Sequence, residues 1–474
     1  MNKFITAFSV HMAVILALIV SIGTVATLSK TQGEGAEKFT GELERNVTIR
    51  ILENDTAIKQ GYLKELLDAF NEAYAEYGIV AEDANMDQYS DLENDGPYGK
   101  GPDVLYQPND QLMRYVPDRH ILPLPVEELD CYEAVGQAAW DAYYTKVGAH
   151  EYYFGVPVNV QGPLLYYRKD LLPENWQEEW DENDNDIPDM VESWNKLYEF
   201  SLERRQGNEK FGYMRSFLEP YFSVGYLYSY GGYSFGNNNT DPTDIGYSAG
   251  EAEKGGWVIR QLASAMNEWC IDDTITVNAY SKLGDGSYFA TMTTPDVYTM
   301  FIDEMMKNGM TRAEAEENLV TAPIPMLPKS GDLTEEDPEL IPSKMMGGVN
   351  GYAISSYTKA PNACLAFVDF ATNYEMIKRR NELLGIAPAR ADVAQEIGGL
   401  SEVIQNNLEE GNIVIMPSIR ENAQMWTPLQ TLFTDLAKDP FRDADEMKYD
   451  SLDKIKAALE RVDQQVYDAI HTLK

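Results

Sequence analysis

The sequence predicts an α/β protein of two domains behind an apolar N-terminal segment, and three observations lead there. A chain of 474 residues exceeds what one ordinary hydrophobic core organises, so two domains are expected. Val47, Ile49 and Ile51 alternate with polar residues as a strand does, and after Gly61 the residues Leu63, Leu66, Leu67, Phe70 and Tyr74 recur at helical spacing. A strand followed directly by a helix opens an α/β layer. With 44% hydrophobic and 11% aromatic residues, the chain is also no disordered polymer.

Charge and cysteine content narrow the function. A formal net charge of −39 excludes a basic face for nucleic acid, because phosphate contact needs clustered Lys and Arg. Cys131, Cys270 and Cys364 are odd in number and far apart, which indicates small buried hydrophobes and neither a disulfide framework nor a metal knuckle. Lys3 precedes an uncharged run from Phe4 to Ser29, long enough as a helix to cross a hydrocarbon core. Residues 1–29 are read as an uncleaved signal anchor, with a cleaved signal peptide as the alternative, and the acidic bulk lies outside the membrane. Lys30 to Arg45, carrying Gly33, Gly35 and Gly41, reads as a tether.

Along the chain, Glu53-Asn54-Asp55 closes the first strand, where open α/β sheets place ligands. Asn54 and Asp55 are therefore candidate ligand contacts, and Asp55 as a helix cap is the alternative. The acidic insert Trp176 to Glu192 has the oxygen spacing of a calcium loop: Asp181, Asn183, Asn185, the Ile187 carbonyl, Asp189 and Glu192 stand at positions 1, 3, 5, 7, 9 and 12. Asp186 replaces the usual Gly and Pro188 is unusual there. A structural Ca²⁺ and a solvated acidic loop both remain open, and no cofactor is required. The last helix repeats Ile455, Leu459, Val462, Val466, Ile470 and Leu473 on one face.

The stretch Tyr153 to Leu172 passes from a β-rich run through Asn159 and Gln161, turns at Gly162-Pro163 and ends in Tyr166-Tyr167-Arg168-Lys169-Asp170-Leu171-Leu172. With three further motifs in the same order, it resembles the extracellular solute-binding proteins of ABC importers, in their maltose- and oligosaccharide-binding branch. The other motifs are Gly101-Pro102-Asp103 leading to Asp110, Glu219-Pro220-Tyr221-Phe222 with Gly231-Gly232-Tyr233, and Met416-Pro417 leading to Trp426.

The resemblance implies a two-lobed periplasmic-binding-protein-like fold of type II, its lobes joined by a multi-crossing hinge. Lobe I is expected over 46–157 and 322–388, and lobe II over 158–321 and 389–474. It also implies sugar contacts at Gln107, Asp110, Gln161, Glu219, Tyr221, Asp296, Tyr298 and Trp426. Gln107 and Asp296 stand where the branch carries Trp, so stacking there is lost, and Tyr106 is a substitute platform on its lobe. The chemistry suits a sugar: carboxylates accept from hydroxyls while aromatic faces cover the apolar side of a pyranose. Tyr226 and Tyr230 are expected in the core.

The function so implied is capture of an oligosaccharide by a monomeric extracytoplasmic receptor that delivers it to the transmembrane subunits of an ABC permease. The sequence lacks a Gly-x-Ser-x-Gly elbow, a phosphate loop and a His pair at metal spacing, so it is not read as an enzyme. A membrane-anchored glycan hydrolase using Asp110 and Glu219, and a surface glycan-binding adhesin, are the alternatives.

Overall fold

A computed structural model of the protein describes residues 36–89, 91–147, 150–207, 209–271 and 274–472. The apolar N-terminal run lies outside the described residues. Among the described residues no helix is long and apolar enough to cross a membrane.

The chain forms two compact units. The first takes the chain through Val160 and then Gly348–Gln405; the second takes Gln161–Gly347 and Asn406–Lys474. The backbone therefore passes from one unit to the other three times.

In the first unit, strand Val47–Leu52 lies between two parallel neighbours, Ile79–Asp83 and Val104–Pro108. The second half of strand Met345–Ile354 adds antiparallel to Val104–Pro108, with Asn350 opposite Pro108 and Ile354 opposite Val104. Val156–Gln161 pairs in turn with that same strand. All ten residues of Met345–Ile354 are buried, as a strand covered on both faces requires. The predicted first helix is Tyr62–Ala73. Gly61, at φ +83, makes the left-handed entry, and Tyr62, Leu63, Leu66 and Phe70 form the buried stripe. Phe70 meets Phe367 and Phe370 of helix Pro361–Ala371 edge-on, at 5.1 and 5.7 Å.

The second unit is built on a four-stranded sheet ordered Leu319–Ala322, Leu164–Arg168, Tyr288–Thr293 and Phe211–Tyr213. Helices Pro220–Ser229, Ala252–Ser264, Trp426–Lys438 and Leu452–Thr472 pack among themselves in the same unit. The last of these buries Ile455, Leu459, Val462, Val466 and Ile470, as its periodicity predicts.

The division differs from the expected lobe boundaries at all three passages, by three residues at the first and by more at the other two. The first, expected after residue 157, falls after Val160. The second was expected at 321/322, yet the chain stays in the second unit until Gly347. Strand Leu319–Ala322 pairs with Leu164–Arg168, and Met326 exchanges backbone bonds with Glu192 and Trp194. The third was expected at 388/389 but follows Gln405. Residues 387–389 instead extend the first unit, Val160 donating to the Ala387 carbonyl at 3.0 Å and Ala389 to that of Val158 at 2.9 Å.

Residues 36–45 likewise depart from the tether reading. The Glu44 carboxylate accepts from the backbone N–H groups of Asn362 and Ala363 at 3.2 and 2.7 Å, capping helix Pro361–Ala371. The Asn362 side chain accepts from the N–H groups of Thr40 and Gly41 at 3.0 and 3.1 Å.

Two predictions follow from packing. A Cβ at Gly351 would overlap the Val156 carbonyl oxygen and the Tyr143 ring. Gly351→Ala is thus expected to destabilise the protein by about 1–3 kcal/mol, read as a lowered Tm; an unchanged melt would show that the two strands are not in such close contact. Asp369 accepts from the Asp130 N–H at 2.8 Å, and burial pushes its carboxyl up to about 6. A carboxyl raised on folding favours the folded state only while protonated, so that contribution is lost as pH rises through about 6. Asp369→Asn should therefore raise Tm at pH 8 by a few degrees and leave it unchanged near pH 4. A shift of equal size at both pH values would contradict this origin.

Candidate functional site

The first unit carries its candidates at the carboxyl ends of two adjacent parallel strands, since Ile51 stands opposite Val104 and Leu52 opposite Leu105. Val47–Leu52 runs into Glu53, Asn54 and Asp55, and Val104–Pro108 runs through Gln107 into Asp110. The Asn54 side chain accepts from the Ala57 N–H at 2.7 Å, so Asn54, and not Asp55, is the helix cap. Asp55 is exposed and pairs with Lys59 at 3.2 Å, the next turn of the same short helix. Gln107 is buried; its amide donates to the Gln88 carbonyl at 2.8 Å, while its Oε1 is buried with no partner. Asp110 is the second residue of helix Asn109–Met113 and accepts from Gln111 at 3.0 Å. Burial pushes its carboxyl up, against the hydrogen bond from Gln111.

Beneath these residues lies an ion pair that the sequence reading missed. Glu53 is wholly buried and receives both terminal nitrogens of Arg380, at 2.7 and 3.1 Å, together with the Tyr352 hydroxyl at 2.5 Å. The Arg380 guanidinium also lies over the rings of Tyr106 and Tyr62, 4.2 and 4.8 Å from their centroids. Tyr106 donates to the Asn159 side chain. At 3% exposure, Tyr106 has its face taken by Arg380, so it does not replace the missing Trp as a stacking platform. The available signal was a charged residue closing an apolar strand, Ile51-Leu52-Glu53, with no solvated reason to stand there.

In the second unit Glu219 is the residue before helix Pro220–Ser229, whose first position is the expected Pro. Its carboxylate pairs with Arg215, which is nearly buried and stacks over the Phe222 ring at 3.7 Å. Tyr221 is half-buried, edge-on to Phe222 at 5.0 Å. Arg215 was not singled out from sequence, although its spacing of four from Glu219 is an ion-pair spacing. Tyr226 and Tyr230 are core residues as expected, 4% and 7% exposed, and the Tyr230 hydroxyl donates to the Pro328 carbonyl at 2.6 Å.

Trp426 opens helix Trp426–Lys438 and is half-buried, with Pro428 inside the first turn. Met425 before it is wholly buried, its sulfur 3.0 Å from the Tyr247 hydroxyl, which fixes where the helix begins. Helices Pro220–Ser229 and Trp426–Lys438 pack together, so the elements starting at Glu219 and Trp426 are neighbours. Tyr298 is the first residue of helix Tyr298–Lys307, half-buried and 6.5 Å from the Tyr166 ring. The side chain of Asp296 lies outside the described residues. Gln161, half-buried, ends strand Val156–Gln161 and is the first residue of the second unit.

The acidic insert folds upon itself in the same unit. The Asp181 carboxylate accepts from the N–H groups of Asn185 and Asp186 at 2.9 and 3.0 Å, and Asn183 and Asn185 donate to Glu192 at 3.0 and 2.8 Å. Asp189 accepts from the Glu182 N–H at 3.1 Å. Asp186 takes φ +60, the conformation for which Gly is the usual choice, and the next N–H, that of Ile187, donates to the Asn185 side chain at 2.8 Å.

Comparison with known proteins agrees with this architecture. The profile of the bacterial extracellular solute-binding protein family matches residues 65–409. The galactooligosaccharide-binding protein of Bacillus subtilis is 26% identical over 413 residues, covering 84% of this chain and 88% of that protein. The maltodextrin-binding protein MdxE of the same organism is 25% identical over 377 residues, covering 76% and 78%. Among solved structures, the maltose-binding protein MalE of Listeria monocytogenes superposes with a TM-score of 0.68 at 18% identity, over 90% of this chain and 98% of that one. The fold is that of these type II binding proteins, and the chain belongs to the bacterial extracellular solute-binding protein family.

Proposed function

We propose that this chain is the substrate-binding protein of a carbohydrate ABC importer, capturing an oligosaccharide and delivering it to a membrane permease. The observation that carries the reading is the match to two oligosaccharide-binding relatives over most of both chains. The residues supply suitable chemistry. Asn54, Gln107 and Asp110 offer amides and a carboxylate at the strand ends, while Gln161, Glu219, Tyr221, Asp296, Tyr298 and Trp426 offer acceptors and ring faces from the second unit. An oligosaccharide needs both kinds of surface.

In this reading Glu219 and Asp110 accept hydrogen bonds and perform no hydrolysis. The protein works outside the membrane, tethered through residues 4–29, as a monomer. Two Streptococcus pneumoniae relatives are named as solute-binding lipoproteins, which agrees with a membrane-attached location. The loop Asp181, Asn183, Asn185, Ile187, Asp189 and Glu192 is proposed to hold one structural Ca²⁺, since a hard cation would replace amide donors at Glu192 with a charge.

Calorimetry with maltodextrins and galacto-oligosaccharides tests the main reading. One of these series should bind without turnover, and Trp426→Ala should weaken it by about 1–3 kcal/mol. Release of shorter sugars would replace a receptor with a hydrolase, and an unchanged dissociation constant would remove Trp426 from the site. For the loop, adding Ca²⁺ to chelator-treated protein should raise Tm, and Asp181→Ala should abolish the rise; a calcium-independent melt of the native chain would reject the ion.

A further inference from the structure

Three metal-ligating side chains meet on the first unit, at the other end of the sheet from the candidate sugar residues. Gln107 and Asp110 sit at the carboxyl end of strand Val104–Pro108. At its amino end Ser355 donates to the Asp103 carbonyl at 2.9 Å, and the next residue, Ser356, donates to the His120 carbonyl at 2.8 Å. There Glu93, Asp118 and His120 bring one ligand atom each within 4.8 Å of one another. They come from separate pieces of backbone: Glu93 from the short helix Leu92–Asp95, Asp118 and His120 from the turn around Arg119, which takes φ +59.

We propose that Glu93, Asp118 and His120 form a binding site for a borderline divalent cation of the zinc class. An imidazole nitrogen beside two carboxylates is the donor set of such ions, whereas Ca²⁺ and Mg²⁺ take oxygen alone. Ligands of one zinc ion at about 2.0–2.2 Å stand about 3.4 Å apart. The three groups thus need to close by at most about 1.4 Å, within the reach of the exposed Glu93 and Asp118 side chains.

A fourth residue, outside the cluster, supports the assignment. The Tyr357 hydroxyl lies 2.6 Å from Nδ1 of His120. This leaves Nε2 for the metal and holds the ring, as outer partners of ligating histidines do. The Tyr357 ring also covers Gly96, just after the Glu93 helix, so closely that a Cβ there would collide with it. One tyrosine thereby steadies both the histidine and the helix that carries the glutamate. The cation would complete that clasp, joining residues 93 and 118–120, with its remaining coordination positions left to water.

Titration of the full chain with ZnCl₂ after chelator treatment tests the site. One saturable equivalent is expected, with affinity reduced at least tenfold in both His120→Gln and Glu93→Gln, retained in Asp181→Asn, and not displaced by an equal concentration of Ca²⁺. The two weakened variants should keep the wild-type far-ultraviolet spectrum. Because they lie on different segments, failure of one to fold leaves the other to decide. Zinc isotherms of the two variants that match the wild type, or no saturable zinc binding at all, would overturn the proposal.

Discussion

The structure depends on how closely two strand backbones approach where the chain passes between its units. Val156–Gln161 and Met345–Ile354 each straddle a passage, and the second is buried along its entire length. The approach is steric in origin. At Gly347 a Cβ would come within 2.6 Å of the Gln161 carbonyl oxygen, and at Gly351 it would overlap that of Val156. Only glycine permits backbones this near.

Electrostatics sets the second constraint. In a chain of net charge −39 the arginines buried among the described residues are committed to acidic partners. Arg380 is enclosed by Glu53, Tyr352, Tyr106 and Tyr62; Arg215 holds Glu219; Arg390 bridges Asp130 and Asp392 at 2.7 and 2.8 Å. Desolvating such pairs costs several kcal/mol per ion, so their return lies more in fixing one arrangement than in net stability. For the Glu53 pair that arrangement has a use: it anchors the residue directly before Asn54, at the strand end where ligands are expected.

Acidic residues at a sugar site are compatible with this surplus of negative charge. Sugars are neutral, so carboxylates bind them through hydrogen bonds to hydroxyls and suffer no long-range repulsion. Arg215 holds the Glu219 carboxylate in place as an ion pair. At Asp110 burial disfavours the charged carboxylate, against the hydrogen bond from Gln111.

Much of this was legible in the residues alone. Local periodicity located the first strand and helix and the last helix, because alternation and a 3.6-residue stripe are properties of neighbouring positions. The helix starts at Pro220 and Trp426 were marked by their own prolines. The family resemblance rested on short motifs and was matched by the family profile. Other features were decided only by tertiary structure. The second and third passages shifted because strand Leu319–Ala322 found its partner in Leu164–Arg168, and residues 387–389 theirs in Val158 and Val160; such pairings join positions far apart in sequence. Tyr106 lost its expected role for the same reason, its face being occupied by Arg380, 274 residues away. Short-range order is written in adjacent residues, but which buried groups meet depends on how the whole chain closes around them.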